Sequence, residues 1–513
     1  MNLSSKIVRN SITNYGGNAV SLIVGFLLTP FLVHSLGDAK YGAWVLVGSI
    51  SSYFWLLDFG LGSSVTKFVS ELHATGQRNR LNAVVASSFA LLAAVGLVSL
   101  IASGIVAQLV DILFRLPSEI VPEVRSMIYV TGVALAVSFP FGVFGGVLRG
   151  YQRYDLINVV VVVSTVANAI LSVLAVKLGW GLVGLALVGL STNLVVGGGR
   201  LALSKWVDRG LVLRPSMVKM SVLRGITGFS VWIFVINVAV QVVYRTSPVI
   251  IASVLGVALV TPFAIANSLV QYSGRLVDPI LAVLLPAYSE LSAVDDTGRV
   301  RRLFIEASKV VGAIAMPVAL GLLLLGKPFI VRWVGPTYEE SGTLLYFLVP
   351  PLYLSFMIAT GDKLLWAKGK IRVNSYVAIA DAVLNLSLSV TLAMTLGLVG
   401  VALATFLSVL ITNGLGLMPY ICHESGLSMR RYLILVAKPL LTPALPATGV
   451  VLLAMRFLGS ESYLQIVLLA ALCAISYWSF FLALNRKEDT VHWLAILRSA
   501  VTPSRFRSLD SVG

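Results

Sequence analysis

The chain reads as an all-α polytopic membrane protein, and three observations predict it. Of its 513 residues, 58% are hydrophobic and only 12% are charged, with a mean hydropathy of +0.92; soluble domains carry about 25% charged residues. The apolar runs are unbroken and reach the ~20 residues a bilayer-crossing helix needs, unlike the ~10-residue alternating strands of a membrane β-barrel. Lys and Arg fall mainly in the short stretches between those runs.

Fourteen spans are expected, at 12–34, 42–62, 83–107, 126–147, 157–176, 181–199, 225–253, 258–288, 307–330, 342–362, 373–395, 398–420, 438–456 and 463–484. The longest, 258–288, should tilt or extend past the bilayer. Residues 1–11 hold Lys6 and Arg9 without a cleavable signal pattern, so the first span is expected to be retained. With span-end residues counted in the adjoining loop, the termini and even-numbered loops hold 29 Lys and Arg and the opposite side holds 7; Arg245 and Arg275 lie within spans. This alternation predicts an even span count with both termini cytoplasmic. The net charge of +16 is therefore read as topology, with no nucleic-acid partner. The dense cluster Arg200, Lys205, Arg209, Arg214, Lys219 and Arg224 is read as that orientation signal plus contact with anionic membrane lipids. Stretches 63–82 and 289–306 look like short amphipathic helices extending a span. The tail 485–513 is expected to be disordered after a short helix near Trp493.

An internal repeat runs through the chain. Leu36-Gly37 recurs as Leu255-Gly256, Ser70-Glu71-Leu72 as Ser289-Glu290-Leu291, Thr75-Gly76 as Thr297-Gly298, and Gly181-Leu-Val-Gly184 as Gly397-Leu-Val-Gly400. Each unit holds six spans, so both enter from the same side. This predicts two six-helix bundles, 1–210 and 211–430, related by a pseudo-two-fold along the membrane normal around a cavity. Spans thirteen and fourteen, 431–484, form an appended pair, and 485–513 a cytoplasmic tail.

Chemistry-bearing motifs are few. Gly321–Lys327 reads GLLLLGK, the spacing of a phosphate loop, but Pro328 follows and the spacer is four leucines inside a span. A phosphate loop needs a strand–loop–helix exposing backbone N–H groups, so the match is rejected. The four histidines, 34, 73, 423 and 492, are scattered, and Cys422 and Cys473 suggest neither a disulfide framework nor a metal site. His34 reads as an interfacial side chain. No nucleophile, base or metal cluster suggests an enzyme, and no cofactor is expected beyond a coupling Na⁺ or H⁺.

Ionisable residues inside spans carry more meaning, because a charge at membrane depth costs ~2.5–3.5 kcal/mol on insertion scales. Arg245 has no acidic partner at helical spacing, so either a distant Asp or an anionic ligand should face it. Pro248 crowds the carbonyl of Tyr244 and is expected to bend the helix there. Arg275 and Asp278 share a helix face and can pair. Asp58 is expected to cap a broken helix. Asp381 and Asn385, one turn apart, could hold a cation or simply hydrogen-bond between helices. The amides Asn14, Asn18, Asn237, Gln241, Asn267 and Gln271 could join helices or line a cavity suited to sugars. Gly16-Gly17, Gly142…Gly146 and Gly197–Gly199 read as close-packing sites.

Three stretches, SKIVRNSITNYGGNAVSLIVGFLLTPFLVHSLGDAKYGAW near the N-terminus, LLDFGLGSSVTKFVSE after it, and LRGYQRYDLIN at 148–158, carry a family resemblance. The chain resembles the polysaccharide transporters, or oligosaccharide flippases, of the multidrug/oligosaccharidyl-lipid/polysaccharide exporter superfamily, over spans one to twelve. The Leu36-Gly37…Tyr41-Gly42 element is its most specific part. The resemblance implies a V-shaped cavity, alternating access, and movement of a polyprenyl-pyrophosphate-linked oligosaccharide from the cytoplasmic to the outer leaflet of a bacterial cell membrane. It implies a cationic pyrophosphate site, here Arg245 and Arg275 with Lys67, Arg149, Arg153 and Lys363 near the cytoplasmic mouth. It also implies a cation site at Asn237, Asp381, Asn385 and Thr405. Polysaccharide polymerase and chain-length machinery are the implied partners, and a monomer is expected. The alternative within the superfamily is a cation-coupled multidrug exporter, against which the unpaired Arg245 and the extra span pair argue.

Overall fold

A computed structural model describes residues 3–58, 60–220, 222, 238, 241–242, 245–275, 277, 280–281, 283–293 and 296–485, with residues 3–16 and 18 described for the backbone alone. The described residues are all-helical. The chain forms two compact units, Met1–Tyr272 with Ile371–Ser408, and Ser273–Lys370 with Val409–Gly513.

In the first unit, helix α1 covers Leu3–Phe54, followed by α2 (Leu61–Ala74), α3 (Arg78–Leu113), α4 (Val121–Gly150), α5 (Tyr154–Lys177) and α6 (Gly181–Val207). Then come α7 (Arg245–Leu255) and α8 (Val260–Gly274). In the second unit lie α9 (Leu284–Ala293), α10 (Thr297–Trp333) and α11 (Glu339–Ala367). The helix α12 (Ile371–Glu424) belongs to both units, and α13 (Met429–Leu458) and α14 (Tyr463–Leu484) to the second.

Ten helices among the described residues are long and apolar enough to cross a membrane. Large apolar side chains point outward along them. On α3, Leu97, Ile101, Ile105, Leu109 and Ile112 are exposed at near-helical spacing, a stripe a soluble protein would bury. Two of the ten combine two of the expected spans each. At 1.5 Å per residue, the 52 residues of α1 would reach about 78 Å if straight, against a hydrocarbon core of ~30 Å. Gly37 breaks it, with φ 72° and ψ 171°. Gly397 breaks α12 in the same way, at φ 61° and ψ −137°.

These breaks follow the repeat. Gly37 corresponds to Gly256 (φ 111°) and Gly181 (φ 54°) to Gly397. The end of α4 is repeated at the end of α11: Gln152 N–H donates to the Arg149 carbonyl and Arg153 to Leu148, as Gly369 does to Trp366 and Lys370 to Leu365. The left-handed residue of that turn is Gln152 in one copy and Gly369 in the other. Gly suits such a position without steric cost.

The core of the first unit forms where α2, α3 and α4 meet. Leu61, Val65, Val69 and Leu72 line one face of α2, against Phe139, Val143, Phe144 and Val147 of α4. Glycines allow the approach: a Cβ at Gly146 would stand 2.9 Å from Val65 Cγ1, and one at Gly150 2.7 Å from Val69 Cγ1. Gly197 of α6 packs on Phe141 in the same way, at 2.8 Å from the ring. The close-packing reading holds at these glycines, whereas Gly142, Gly198 and Gly199 face open space.

Three local expectations change. The stretch 63–82 is not one helix: α2 ends at Ala74 and α3 starts at Arg78, because Gly76 adopts φ 69°. Likewise 289–306 divides between α9 and α10, whose start is capped by Asp296 accepting the Arg299 N–H at 2.9 Å. Residues 245–250 are helical and Tyr244 lies outside the described residues; the break comes in a π turn at Ile251–Leu255 and at Gly256. Glycine at φ 111° absorbs the redirection there. Gly321–Lys327 lies inside α10, and Lys327 pairs with Glu339 at 2.7 Å. Both cysteines are free and buried. His34 Nδ1 lies 2.7 Å from the Pro30 carbonyl and is exposed. Trp493 and the rest of the tail lie outside the described residues.

Candidate functional site

A cavity of about 600 Å³ lies in the first unit between α1, α4, α6, α7 and α8. Its walls begin with sequence. The arm of α1 after Gly37 places Tyr41, Trp44, Ser51 and Ser52 along it, and the turn after α1 adds Trp55. Thr131 of α4 and Asn193 of α6 face it from another side. From α8 come Asn267, Ser268, Gln271 and Tyr272, at helical spacing on one face. Gly25 leaves room for Tyr272, whose hydroxyl would stand 2.9 Å from a Cβ there.

Arg245 is the one charged residue among the described residues lining this cavity, and Pro248 lines it one turn later. No described carboxylate lies within 4.0 Å of the Arg245 guanidinium. The helix bearing it is tied to α1: the Tyr53 hydroxyl bonds with Thr246 Oγ1, and Gln241 Nε2 donates to the Ser52 carbonyl at 3.1 Å. Gly42 lets the Val257 carbonyl pack onto α1, while Thr261 Oγ1 donates to the Asp38 carbonyl at 2.8 Å. The Arg115 N–H donates to the Ala252 carbonyl at 3.0 Å, and the Arg115 carbonyl accepts from the Val257 N–H at 3.2 Å. The cavity thus joins a full positive charge to amides, hydroxyls and aromatic faces. Such walls can stack and hydrogen-bond a sugar while the guanidinium grips a phosphate in bidentate fashion.

Within the first unit, Arg149, Arg153 and Lys67 do not line the Arg245 cavity. Arg149 lies at the end of α4, its Nε donating to Thr66 Oγ1 at 3.4 Å. Arg153 is engaged by a neighbour two residues on: Nε and Nη2 each donate to Asp155 at 3.0 Å, and the guanidinium stacks on Trp206. Lys67 sits over Phe68. Arg275 and Lys363 belong to the second unit; Arg275 is exposed and Lys363 lies 5.0 Å over Trp366. Asp278, expected to pair with Arg275, lies outside the described residues. Asn267 and Gln271 reach the cavity; Gln241 braces α1 instead. The side chains of Asn14 and Asn18, and all of Asn237, lie outside the described residues.

Asn385 and Thr405 do come together, and Asp381 lies one helical turn before Asn385. Asp381 and Asn385 are buried, and Asn385 Nδ2 donates to Thr405 Oγ1 at 3.4 Å and Ser408 Oγ at 3.2 Å. Asn385 Oδ1 is buried with no donor, and Ser389 Oγ, one turn on, is buried likewise. A buried acceptor without a donor is costly. Oxygens from a carboxylate, an amide and hydroxyls form the ligand type that hard cations take, so the residues present fit such an ion. Asp58 acts as expected of a cap: Oδ2 accepts the Gly62 N–H at 3.5 Å at the start of α2.

Sequence reasoning missed Trp44, Trp55, Asn193 and Tyr272 as cavity residues. Asn193, a lone amide in the apolar sixth span, was the readable signal; the aromatics are indistinguishable from lipid-facing ones without the fold.

Three comparisons place the chain among known proteins. Residues 41–342 match the family model described as polysaccharide biosynthesis protein. The chain is 22% identical over 450 residues to EpsK, an uncharacterized membrane protein of Bacillus subtilis, covering 85% of this chain and 87% of the relative. It is 20% identical over 414 residues to a Shigella flexneri protein named as an O-antigen transporter, covering 79% and 95%. Its fold matches the solved structure of the lipid II flippase MurJ in an inward closed conformation, with TM-score 0.68 at 14% identity over 93% of this chain and 99% of that one. Polytopic, all-helical and matched over most of its length, the chain belongs to the polysaccharide biosynthesis protein family, a family of membrane transporters and flippases rather than enzymes.

Proposed function

We propose that this protein is a flippase that carries a polyprenyl-pyrophosphate-linked oligosaccharide from the cytoplasmic to the outer leaflet of the cell membrane by alternating access. One observation carries the reading: among the described residues, Arg245 is the one charge lining a cavity whose walls combine amides, hydroxyls and aromatic rings with aliphatic side chains. The guanidinium takes the pyrophosphate, the glycan lies along Asn193, Asn267 and Gln271, and the lipid tail stays in the bilayer. The named roles of the Shigella protein and of MurJ fit this substrate class. The repeated glycine breaks support two related bundles, and the Lys and Arg alternation supports fourteen spans with both termini cytoplasmic. No covalent chemistry is involved. An anion leaving an inside-negative cell is favoured by up to ~2.3 kcal/mol per charge per 100 mV. A cation returning through the Asp381, Asn385 and Thr405 site adds drive.

The test is reconstitution in liposomes with a polyprenyl-pyrophosphate oligosaccharide in one leaflet, measuring its accessibility from the other. Wild type should move it and Arg245→Ala should lose at least tenfold in rate at equal incorporation. Transport of a lipophilic cation with no lipid-linked sugar movement would assign the cavity to a drug exporter instead.

A further inference from the structure

A second cationic site lies outside the cavity, where α4 and α6 end together. Tyr151, just past α4, donates to Asp208, just past α6, at 2.7 Å. Arg149, in the last turn of α4, and Arg200, two turns before the end of α6, bring their guanidinium groups together over Gly145. A Cβ at Gly145 would stand 3.8 Å from Arg149 Nη1 and 3.6 Å from Arg200 Nη1. The two like charges are close enough to repel each other. Arg200 Nε is buried with no acceptor.

The surrounding acids do not answer this charge. No described carboxylate oxygen lies within 4.0 Å of either guanidinium. Asp58 is the nearest to hand: its Oδ2 and Arg149 Nη2 both approach the space beside Gly62, at 3.8 and 3.4 Å from a Cβ there. Asp208 is taken by Tyr151, by Arg78 at 3.6 Å and by the Gly210 N–H at 2.9 Å. Two guanidiniums therefore share one nearby carboxylate, which leaves a surplus positive charge in a partly buried place. An uncompensated buried charge is costly. Planar guanidinium forks match phosphate oxygens, which can take several N–H donors at once.

We infer that Arg149 and Arg200 form an anion site over Gly145 that binds a phosphate group, separate from the Arg245 cavity. Two sources share this chemistry: the pyrophosphate of a lipid-linked sugar waiting at the membrane surface, and the headgroup of an anionic phospholipid. Arg200 is thus a ligand-binding residue in addition to a topological charge, and glycine at 145 keeps the seat open. The site stands or falls on binding, independently of whether Arg245 supports transport.

Binding of inorganic pyrophosphate to the purified full chain in neutral detergent would be measured by calorimetry. Native mass spectrometry would then count lipids retained from nanodiscs of phosphatidylglycerol or phosphatidylcholine. Measured in the Arg245→Ala background, so that the cavity arginine does not contribute, the expected result is pyrophosphate binding, or one tightly retained phosphatidylglycerol, weakened at least tenfold by Arg200→Gln. Pyrophosphate binding without lipid retention assigns the site to the substrate phosphate; lipid retention that pyrophosphate does not displace assigns it to the headgroup. Gly145→Ala serves as a second variant, because its methyl fits at ordinary contact distance while filling the seat and keeping both arginines. Equal binding in that background with or without Arg200→Gln or Gly145→Ala, or no binding of either probe in that background, overturns the site.

Discussion

The Lys40 ammonium lies 2.7 Å from Glu123 Oε2, while Oε1 of the same carboxylate accepts the Leu182 N–H at 2.6 Å. One side chain therefore joins α1 to α4 and caps the start of α6, where orphan N–H groups favour negative charge. Gly181 is required beside it, since a Cβ there would collide with Glu123 Oε1. The Lys40 side chain is 38% exposed and that of Glu123 22%, so the ion pair itself is screened. Lys40→Ala should cost ~0.2–1 kcal/mol, whereas Glu123→Ala also orphans a helix N–H and should cost ~1–3 kcal/mol. Thermal unfolding in detergent measures both; a larger loss from Lys40→Ala would contradict the capping role.

Gly37 divides α1 with φ 72° and ψ 171°, and its surroundings are open. The obstacle to a side chain there is backbone strain alone, of order 1–3 kcal/mol. Gly37→Ala should destabilise by that amount even though nothing clashes. Gly198→Ala, in a helical stretch of α6 with open space around it, should be neutral or stabilise by ~0.5–1 kcal/mol. Chemical or thermal denaturation of the pair separates strain from crowding.

The buried Asn385 Oδ1 leads to an ion dependence. Na⁺ should stabilise wild type against unfolding relative to choline at equal ionic strength, by ~1.4 kcal/mol at tenfold the dissociation constant, read as a higher unfolding temperature. Asn385→Ala should remove that increment while leaving the protein folded. An identical Na⁺ response in the variant would take Asn385 out of the site.

Between α11 and α12, Lys370 Nζ donates to Glu424 Oε1 at 2.7 Å. That hydrogen bond, first among the influences on it, raises the Lys370 pKa above its ordinary value. A raised folded pKa means the contribution is fully present below the unfolded value of ~10.4 and disappears as pH climbs through the folded one. Lys370→Ala should thus lower stability slightly and evenly from pH 6 to about pH 10, and the gap to wild type should close only above that range. A gap that closes near neutrality would refute this assignment.

Much of the architecture was readable because it depends on local quantities. Hydropathy marked the helices, and the doublets Leu36-Gly37 and Leu255-Gly256 marked two of the turns between them, since a left-handed break needs glycine wherever it occurs. Asp381 and Asn385 could be grouped because they lie one turn apart, whereas Thr405 was implied only by the family resemblance and is brought to Asn385 by the break at Gly397. Arg245 was readable as a cost: a charge within an apolar run calls for a partner, and none stood at helical spacing.

Only the tertiary structure decided which cations act together. Arg153, an equal candidate by sequence, is held by Asp155, and Arg200, counted among loop charges, meets Arg149 over Gly145. Likewise Trp44, Asn193 and Tyr272 lie on three helices and meet at one cavity. By itself the sequence determined a polytopic helical membrane protein, and it showed recurring doublets and an arginine inside an apolar run with no acid at helical spacing. Helix period and hydropathy are properties of neighbouring residues, and those suffice for spans and breaks. A binding site arises where helices distant in the chain cross, and the crossing depends on how glycine faces such as Gly146 and Gly150 let those helices pack.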